Sequence, residues 1–164
     1  EMQAALGLSQ LRKIEKFNST RREYAKRYLK GLQPIADIIK LPVEKEYAKS
    51  SWSLFEIQVD FSKLRIGRDE LVKAIRAENV PVSIVYPRVV YENPVFAKLK
   101  GHGKGCPWRC PLYSGSVEYR RGITPNAEEV AAKCLTLHTD PIMGIEGVED
   151  TIEALIKVIE YYRR

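Results

Sequence analysis

The most reactive side chains of the sequence lie together in residues 100–122, which read KGHGKGCPWRCPLYSGSVEYRRG. The Gly101–Gly105 segment resembles a phosphate-binding loop, but it lacks the Ser or Thr that follows in a P-loop and the flanking strand and helix. Glycines and prolines dominate the first half of the run, so we expect a long loop without regular structure. Its cations Lys100, Lys104 and Arg109 could meet an anionic substrate.

Two thiols in this loop, Cys106 and Cys110, flank Pro-Trp-Arg. Tetrahedral zinc needs four ligands. The loop offers two sulfurs and His102, so a zinc site would need Cys134 or His138 as well. A zinc site and a local disulfide remain alternatives to the expected free thiols, and no metal ligand is assigned.

The other polar residues do not form a catalytic set with meaningful spacing. His138 stands at the end of a predicted strand and is expected to be structural. The carboxylate pairs Glu128-Glu129 and Glu149-Asp150 begin predicted helices, where the helix dipole favours acids. The residues alone therefore predict no self-sufficient active site and no catalytic residue.

The elements that position these residues alternate between helix and strand periods, which predicts an α+β fold with helices on one face of a small sheet. A chain of 164 residues suits one domain, 1–164, with a leading helix over 1–32 and a sheet-and-helix body over 33–164. The predicted strands are 52–60, 80–86 and 135–138, and the predicted helices of the body are 68–79, 93–99, 126–134 and 148–162.

The leading segment is predicted to be one long amphipathic helix, because apolar residues recur at three- and four-residue steps or their multiples. These residues are Ala5, Leu8, Leu11, Phe17, Tyr24 and Tyr28. Gly31 is expected to end the helix, since glycine accepts the left-handed conformation common at that position.

The formal net charge of +6 raises the question of nucleic-acid binding. Much of the excess lies on the leading helix, interspersed with Glu15 and Glu23 and without the aromatic platforms of single-strand binders. A solvated helix face is the favoured interpretation, with no nucleic-acid partner. No apolar run approaches the roughly 20 residues that span a bilayer, and no signal peptide is visible, so we expect a soluble cytoplasmic protein with no membrane partner.

Five segments together resemble one family. MQAALGLSQLRKIEKF is similar to the stretch after the catalytic half of the DegT/DnrJ/EryC1/StrS sugar aminotransferases, which use pyridoxal phosphate (PLP). The segments SSWSLFEIQVD, RDELVKAIRAENVPVSIVYP, YENPVF and LTLHTDPIMGIEGVEDTIEALIKVI follow in the family's order. Two features depart from the family: Ser50 and Ser53 replace histidines of many members, and CPWRC occurs only in some members.

The resemblance implies the C-terminal, small domain of a fold-type I PLP enzyme, with a three- to four-stranded, mainly antiparallel sheet. It implies that the Schiff-base lysine lies upstream of Glu1. Lys63 is not assigned this role, because it follows a strand that resembles one of the family's C-terminal domain. It implies Tyr86, Arg88 and Tyr91 as substrate contacts, although Tyr86 could instead be core and Arg88 merely a surface residue. Trp52 is expected in the core.

The intact enzyme is expected to bind PLP, to include an upstream PLP-binding domain and to form a homodimer. Its acceptor would be a keto-sugar, nucleotide-linked, or a cyclitol, and its donor glutamate or glutamine. This chain alone is expected to be inactive and to bind no cofactor. The alternatives are a non-enzymatic interaction or regulatory domain derived from the family, and a basic nucleic-acid-binding module.

Overall fold

The computed structural model describes residues 1–164. In it, the segment of alternating apolar and polar residues near residue 55 forms an inner strand of a four-stranded sheet. This strand, β2 (Phe55–Val59), buries Phe55, Ile57 and Val59 completely and leaves the intervening side chains half-buried. The other strands are β1 (Ile39–Lys40), β3 (Val82–Ser83) and β4 (Cys134–Leu137), in the order β1-β2-β4-β3. The β1–β2 and β3–β4 pairs are antiparallel. The predicted α+β sheet is therefore confirmed.

Two strands differ from the sequence prediction. Strand β1 pairs Ile39 with Val59 and was not predicted, because two residues are too few to show an alternating pattern. Strand β3 covers only Val82–Ser83 of the predicted 80–86, since Pro81 has no backbone N–H for a ladder and the chain leaves the sheet after Ser83.

Helices α3 (Arg68–Ala77) and α6 (Gly144–Tyr162) pack against each other and supply much of the core. Helix α3 buries the predicted stripe of Leu71, Val72 and Ile75. It begins where the Glu70 carboxylate accepts a hydrogen bond from the Gly67 backbone N–H at 3.2 Å. Helix α6 starts one turn earlier than predicted and buries the predicted residues Val148, Ile152, Leu155 and Ile159.

The leading segment forms two helices instead of one. Helix α1 (Met2–Leu11) buries no residue, and Leu8 and Leu11 are each 62% exposed. A turn at residues 12–13 separates it from α2 (Ile14–Gly31), which packs on α6. The predicted stripe is buried only where it contacts the rest of the chain, since the apolar side chains of α1 have nothing to pack against here.

Gly31 is the last residue of α2, but its role differs from the predicted one. Its φ is not positive, so it does not end the helix in the left-handed conformation. A Cβ at this position would lie 2.7 Å from Cδ1 and 2.9 Å from Cγ2 of Ile152. Glycine is required here because α2 and α6 approach closely.

The chain divides into two compact units, and the single domain over 1–164 stays a prediction. The sheet unit comprises residues 1–84 and 135–164, and the cavity unit comprises residues 85–134. The cavity unit contains α4 (Pro94–Ala97) and α5 (Pro125–Lys133), joined by residues 98–124, which form neither helix nor strand. None of the helices combines the length and hydropathy needed to cross a bilayer.

Candidate functional site

The cavity unit holds a cavity of about 500 Å³, and Tyr86, Arg88 and Tyr91 all line it. Arg88 is the only charged residue of the lining, and the remaining residues are apolar or aromatic apart from one threonine. They are Val89, Val90, Phe96, Tyr119, Ile123, Thr124, Ala127, Val130 and Ala131. The structure therefore brings the three predicted substrate-binding residues into one site, although contact with a substrate stays a prediction.

These three side chains differ in what they present to the cavity. Tyr86 is 55% exposed, so the alternative that it belongs to the core is wrong. Arg88 is exposed as well. Tyr91 is buried, at 8% exposure, and packs with Val89 and Ala131 in a small apolar cluster. The cavity thus combines an exposed cation, an accessible tyrosine and a buried aromatic ring.

Tyr91 is fixed by a hydrogen bond to the first turn of α5. Its hydroxyl donates to Oε1 of Glu128 at 2.6 Å, and the same oxygen accepts from the backbone N–H groups of Gly122 at 2.8 Å and Thr124 at 3.3 Å. The Tyr91 hydrogen bond is the main cause that lowers the pKa of Glu128, and burial raises the pKa of Tyr91 to about 12. The sequence predicted Glu128 only as a helix-start acid, since its partner lies 37 residues away.

An aromatic cluster of Phe96, Trp108 and Tyr119 contributes two of its rings to the lining of the cavity. The Phe96 ring meets the edges of Tyr119 and Trp108 at centroid distances of 5.6 Å and 6.0 Å. The Trp108 indole N–H donates to the Tyr119 hydroxyl at 3.1 Å. Phe96 and Tyr119 line the cavity directly, and Trp108 supports them from the CPWRC segment. Sequence reasoning missed this cluster, because no periodic pattern connects Phe96 of α4 with two residues of the following loop.

The thiols of Cys106 and Cys110 are free and half-buried. The interaction between the two thiols raises the pKa of Cys106 and lowers that of Cys110. No three or more His, Cys, Asp or Glu side chains of the chain form a group that could hold a metal ion. The ligand group that the zinc alternative needs is therefore not assembled here, and Cys134 lies buried in β4.

The glycines of the GHGKG run shape the turn that precedes Cys106. A Cβ on Gly101 would lie 1.6 Å from the backbone oxygen of Cys106, so only glycine fits there. Gly105 has a φ of 76°, which glycine adopts readily. The backbone N–H of Arg109 closes the turn by donating to the Gly105 oxygen at 2.6 Å. This run folds the thiol loop and is not a phosphate cradle at a helix N-terminus.

The remaining candidates have structural partners in the sheet unit. His138 shares a hydrogen bond with the Ser83 hydroxyl at 2.9 Å through Nε2, and its Nδ1 lies 3.5 Å from the Asp140 carboxylate. Trp52 is buried at 8% exposure, and its backbone oxygen accepts from the Thr139 hydroxyl at 2.7 Å. His138 is thus held by its neighbours, and Trp52 belongs to the core as predicted.

A PLP site requires a lysine that forms a Schiff base and an acid beside the pyridine nitrogen. The cavity lining contains neither a lysine nor an acid. Lys63 is exposed, and its amine donates to the backbone oxygen of Asp37 at 2.5 Å. The lining of this cavity therefore supplies neither of the two groups that PLP chemistry needs.

Comparisons with known proteins connect this fold to one family. The family model "DegT/DnrJ/EryC1/StrS aminotransferase family" matches residues 1–108. The spore coat polysaccharide biosynthesis protein SpsC of Bacillus subtilis is 29% identical over 161 residues, which are 98% of this chain and 36% of that protein. The dTDP-4-dehydro-2,6-dideoxy-D-glucose 3-dehydratase of Saccharopolyspora spinosa is 30% identical over 100 residues, 61% of this chain and 21% of that protein.

A solved structure shows the same fold. The crystal structure of S. venezuelae DesV in complex with a ketimine intermediate matches with a TM-score of 0.75 and 26% identity, over 97% of this chain and 36% of that chain. The chain spans little more than a third of the length of the first curated relatives, 37% and 36%. It belongs to the DegT/DnrJ/EryC1/StrS aminotransferase family, whose members are PLP-dependent sugar aminotransferases and dehydratases, and it corresponds to a part of such a protein.

Proposed function

We propose that this chain is the C-terminal domain of a PLP-dependent aminotransferase that transfers an amino group to a nucleotide-linked keto-sugar or a cyclitol. The observation that carries the proposal is the cavity of this chain, which is a member of the family. One guanidinium, that of Arg88, lies there among aromatic and apolar side chains. A sugar with an anionic substituent matches this lining. The apolar faces of its ring can pack on the aromatic side chains, and its negative charge can pair with Arg88.

Arg88 is the group that binds the charged end of the substrate. Its guanidinium can form two parallel hydrogen bonds to a phosphate or a carboxylate, which gives orientation as well as affinity. The Tyr91 hydroxyl already donates to Glu128, so Tyr91 offers its ring to the substrate instead of a hydrogen bond. Tyr86, which is more exposed, offers its hydroxyl.

The Schiff-base lysine and the acid for the pyridine nitrogen come from an upstream domain of the intact protein. Two observations support this: the relatives are nearly three times as long as this chain, and helix α1 buries none of its residues. Leu6, Leu8 and Leu11 of α1 are each at least 62% exposed, which leaves an apolar surface for that domain to cover. The intact enzyme forms a homodimer and works in the cytoplasm.

The test uses the intact protein with variants of Arg88. Reduction with borohydride should trap PLP covalently on a lysine outside this chain. Arg88→Ala should raise the KM for a nucleotide-linked keto-sugar about 10- to 100-fold, as expected for the loss of a hydrogen-bonded charge. Arg88→Lys should recover part of this loss, since lysine keeps the charge without the planar fork.

Arg120→Ala is the matched control, because Arg120 is an exposed arginine of the same unit that does not line the cavity. It should leave the KM unchanged. Equal KM values for Arg88→Ala and the parent would remove Arg88 from the binding site. A protein that traps no PLP would overturn the aminotransferase proposal itself, and a deoxygenated product without an amino group would assign a dehydratase.

A further inference from the structure

Glu128 joins two segments of the cavity lining, although it does not line the cavity itself. Its Oε1 accepts from the Tyr91 hydroxyl at 2.6 Å and from the backbone N–H groups of Gly122 at 2.8 Å and Thr124 at 3.3 Å. Tyr91 and Thr124 both line the cavity. One carboxylate oxygen therefore connects the segment that contains Arg88 with the segment that leads into α5.

The carboxylate of Glu128 depends on these donors because it is largely withdrawn from water. Its side chain is 16% exposed, and its Oε2 lies 4.0 Å from Nε of Arg121, whose side chain is 88% exposed. An ion pair with so exposed a partner contributes little to stability. Hydrogen bonds to an ionised acceptor are roughly twice as strong as those between neutral groups. The donors of the two lining segments, rather than Arg121, therefore hold the carboxylate in place.

Tyr91 connects this contact to the binding groups of the cavity. Its buried ring packs with Val89 and Ala131, and the residue lies in the short helical turn Val90–Glu92. Arg88 directly precedes Val89, so the backbone that carries the guanidinium is anchored at Tyr91. Arg88 is exposed, and a flexible side chain binds a ligand more tightly when fewer of its freedoms are lost on binding. A fixed backbone at Tyr91 therefore favours binding at Arg88.

We propose that Glu128 is a positioning residue for substrate binding, which acts by holding Tyr91 and thereby the segment that carries Arg88. The inference rests on the proposed function, because it takes the negative charge of the substrate to bind at Arg88. Glu128 does not line the cavity, so its hydrogen bonds affect where the binding groups lie and not which groups are present. Removal of its carboxylate should therefore weaken the binding of an anion while the fold and the binding groups remain.

The experiment measures the dissociation constant of thymidine diphosphate for the intact protein, upstream domain included, by isothermal titration calorimetry. Glu128→Ala should raise this constant about 10-fold, because a guanidinium that is no longer held in position loses much of its bidentate contact. The binding stoichiometry should stay at that of the parent, whereas unfolding would lower it. Glu128→Gln should stay within about 3-fold of the parent, since its amide oxygen can accept from the same three donors.

Glu129→Ala is the matched control. Glu129 is the adjacent acid of α5, is exposed, does not line the cavity and pairs with Lys133 at 2.7 Å. The substitution removes the same charge from the same part of the helix and should leave the dissociation constant unchanged. An equal rise in Glu129→Ala and Glu128→Ala would assign the effect to helix charge and disprove the positioning role.

A double-variant cycle tests whether Glu128 acts through Arg88. In the Arg88→Ala background, Glu128→Ala should change the dissociation constant by less than about 3-fold, because the group that it positions is already absent. An undiminished effect in that background would contradict the proposal. So would a parent protein that binds no thymidine diphosphate, or a Glu128→Ala protein that binds it as tightly as the parent. The proposed function fails on a separate result, the absence of PLP trapped by borohydride in the parent.

Discussion

The close approach of α2 and α6 at Gly31 leads to a prediction that opposes helix propensity. An alanine here should stabilise α2 by about 0.5–1 kcal/mol if only propensity mattered. Its Cβ, however, would lie 2.7 Å from Cδ1 and 2.9 Å from Cγ2 of Ile152. Carbon atoms in contact are about 3.5–4.0 Å apart, so the methyl group would be too close by about 0.6–1.3 Å.

The two clashing atoms of Ile152 differ in how easily they can move. Cδ1 can rotate away, whereas Cγ2 is attached to Cβ in a β-branched side chain that has one strongly preferred rotamer in a helix. The helices must therefore separate or Ile152 must leave its rotamer, and such overpacking costs about 1–3 kcal/mol. After the propensity gain, Gly31→Ala should lower the free energy of unfolding by about 1.5 kcal/mol and the Tm by about 3–6 °C.

Urea unfolding followed by far-UV circular dichroism measures the change in free energy of unfolding. Ile152→Ala alone should cost about 2–5 kcal/mol, because Ile152 is buried. In the double variant the loss of free energy of unfolding should be smaller than the sum of the two single losses by about 1 kcal/mol or more, since the alanine at 152 removes the clash.

Gly147→Ala in α6 is the matched control. A Cβ there would meet the side chain of Met143, 2.9 Å away at Cγ, and this flexible side chain can move aside. The control should therefore keep or raise the free energy of unfolding. A Gly31→Ala chain as stable as the parent, or strictly additive losses in the double variant, would refute the close-approach argument.

Three further predictions concern the site, the charges and the cofactor. Tyr91→Phe should raise the pKa of Glu128 toward its ordinary value, because the substitution removes the main hydrogen bond that lowers this pKa. An NMR titration of the carboxyl group measures the change, and Tyr86→Phe is the control that should leave the pKa of Glu128 unchanged. Arg163 lowers the pKa of Asp37 in the folded state, so this ion pair stabilises the fold above the unfolded-state pKa of about 3.9. The stabilisation is lost as the pH falls through the folded-state pKa of Asp37. Arg163→Gln should therefore lose less stability on acidification below about pH 4, and parallel acid-unfolding curves would contradict this. The isolated chain mixed with PLP should show no aldimine absorbance and retain no PLP after borohydride treatment, whereas a covalent adduct on a single lysine would disprove it.

The sheet unit was largely predictable because its elements are specified by local periodicity. The alternation of Phe55, Ile57 and Val59 predicted β2. The spacing of four apolar residues by four, three and four positions predicted α6; they are Val148, Ile152, Leu155 and Ile159. The errors arose where periodicity carries no information about partners. Helix α1 continues the apolar pattern of α2 yet buries nothing, since the pattern shows which side is apolar and not what covers it.

The cavity was predictable only in part. The resemblance to the family singled out Tyr86, Arg88 and Tyr91, and these residues line one cavity. The partners that fix the cavity were not visible, because the Tyr91–Glu128 contact spans 37 residues and the Trp108–Tyr119 contact spans 11 residues of irregular chain. Contacts of this kind depend on how a loop folds back, and no residue spacing encodes that.

The family match covers the sheet unit up to residue 84 and the first half of the cavity unit. The family model ends at residue 108, inside the CPWRC segment, and the regular elements before it belong mostly to the sheet unit. Every side chain that lines the cavity, and both thiols of the loop, belong to the cavity unit. The family match therefore rests mainly on the sheet unit, whereas residues 85–134 contain the charge and the aromatic side chains that would distinguish the substrate. Exchanging residues 85–134 between relatives should transfer the substrate preference, because Arg88 and the aromatic side chains of the cavity all lie within this unit.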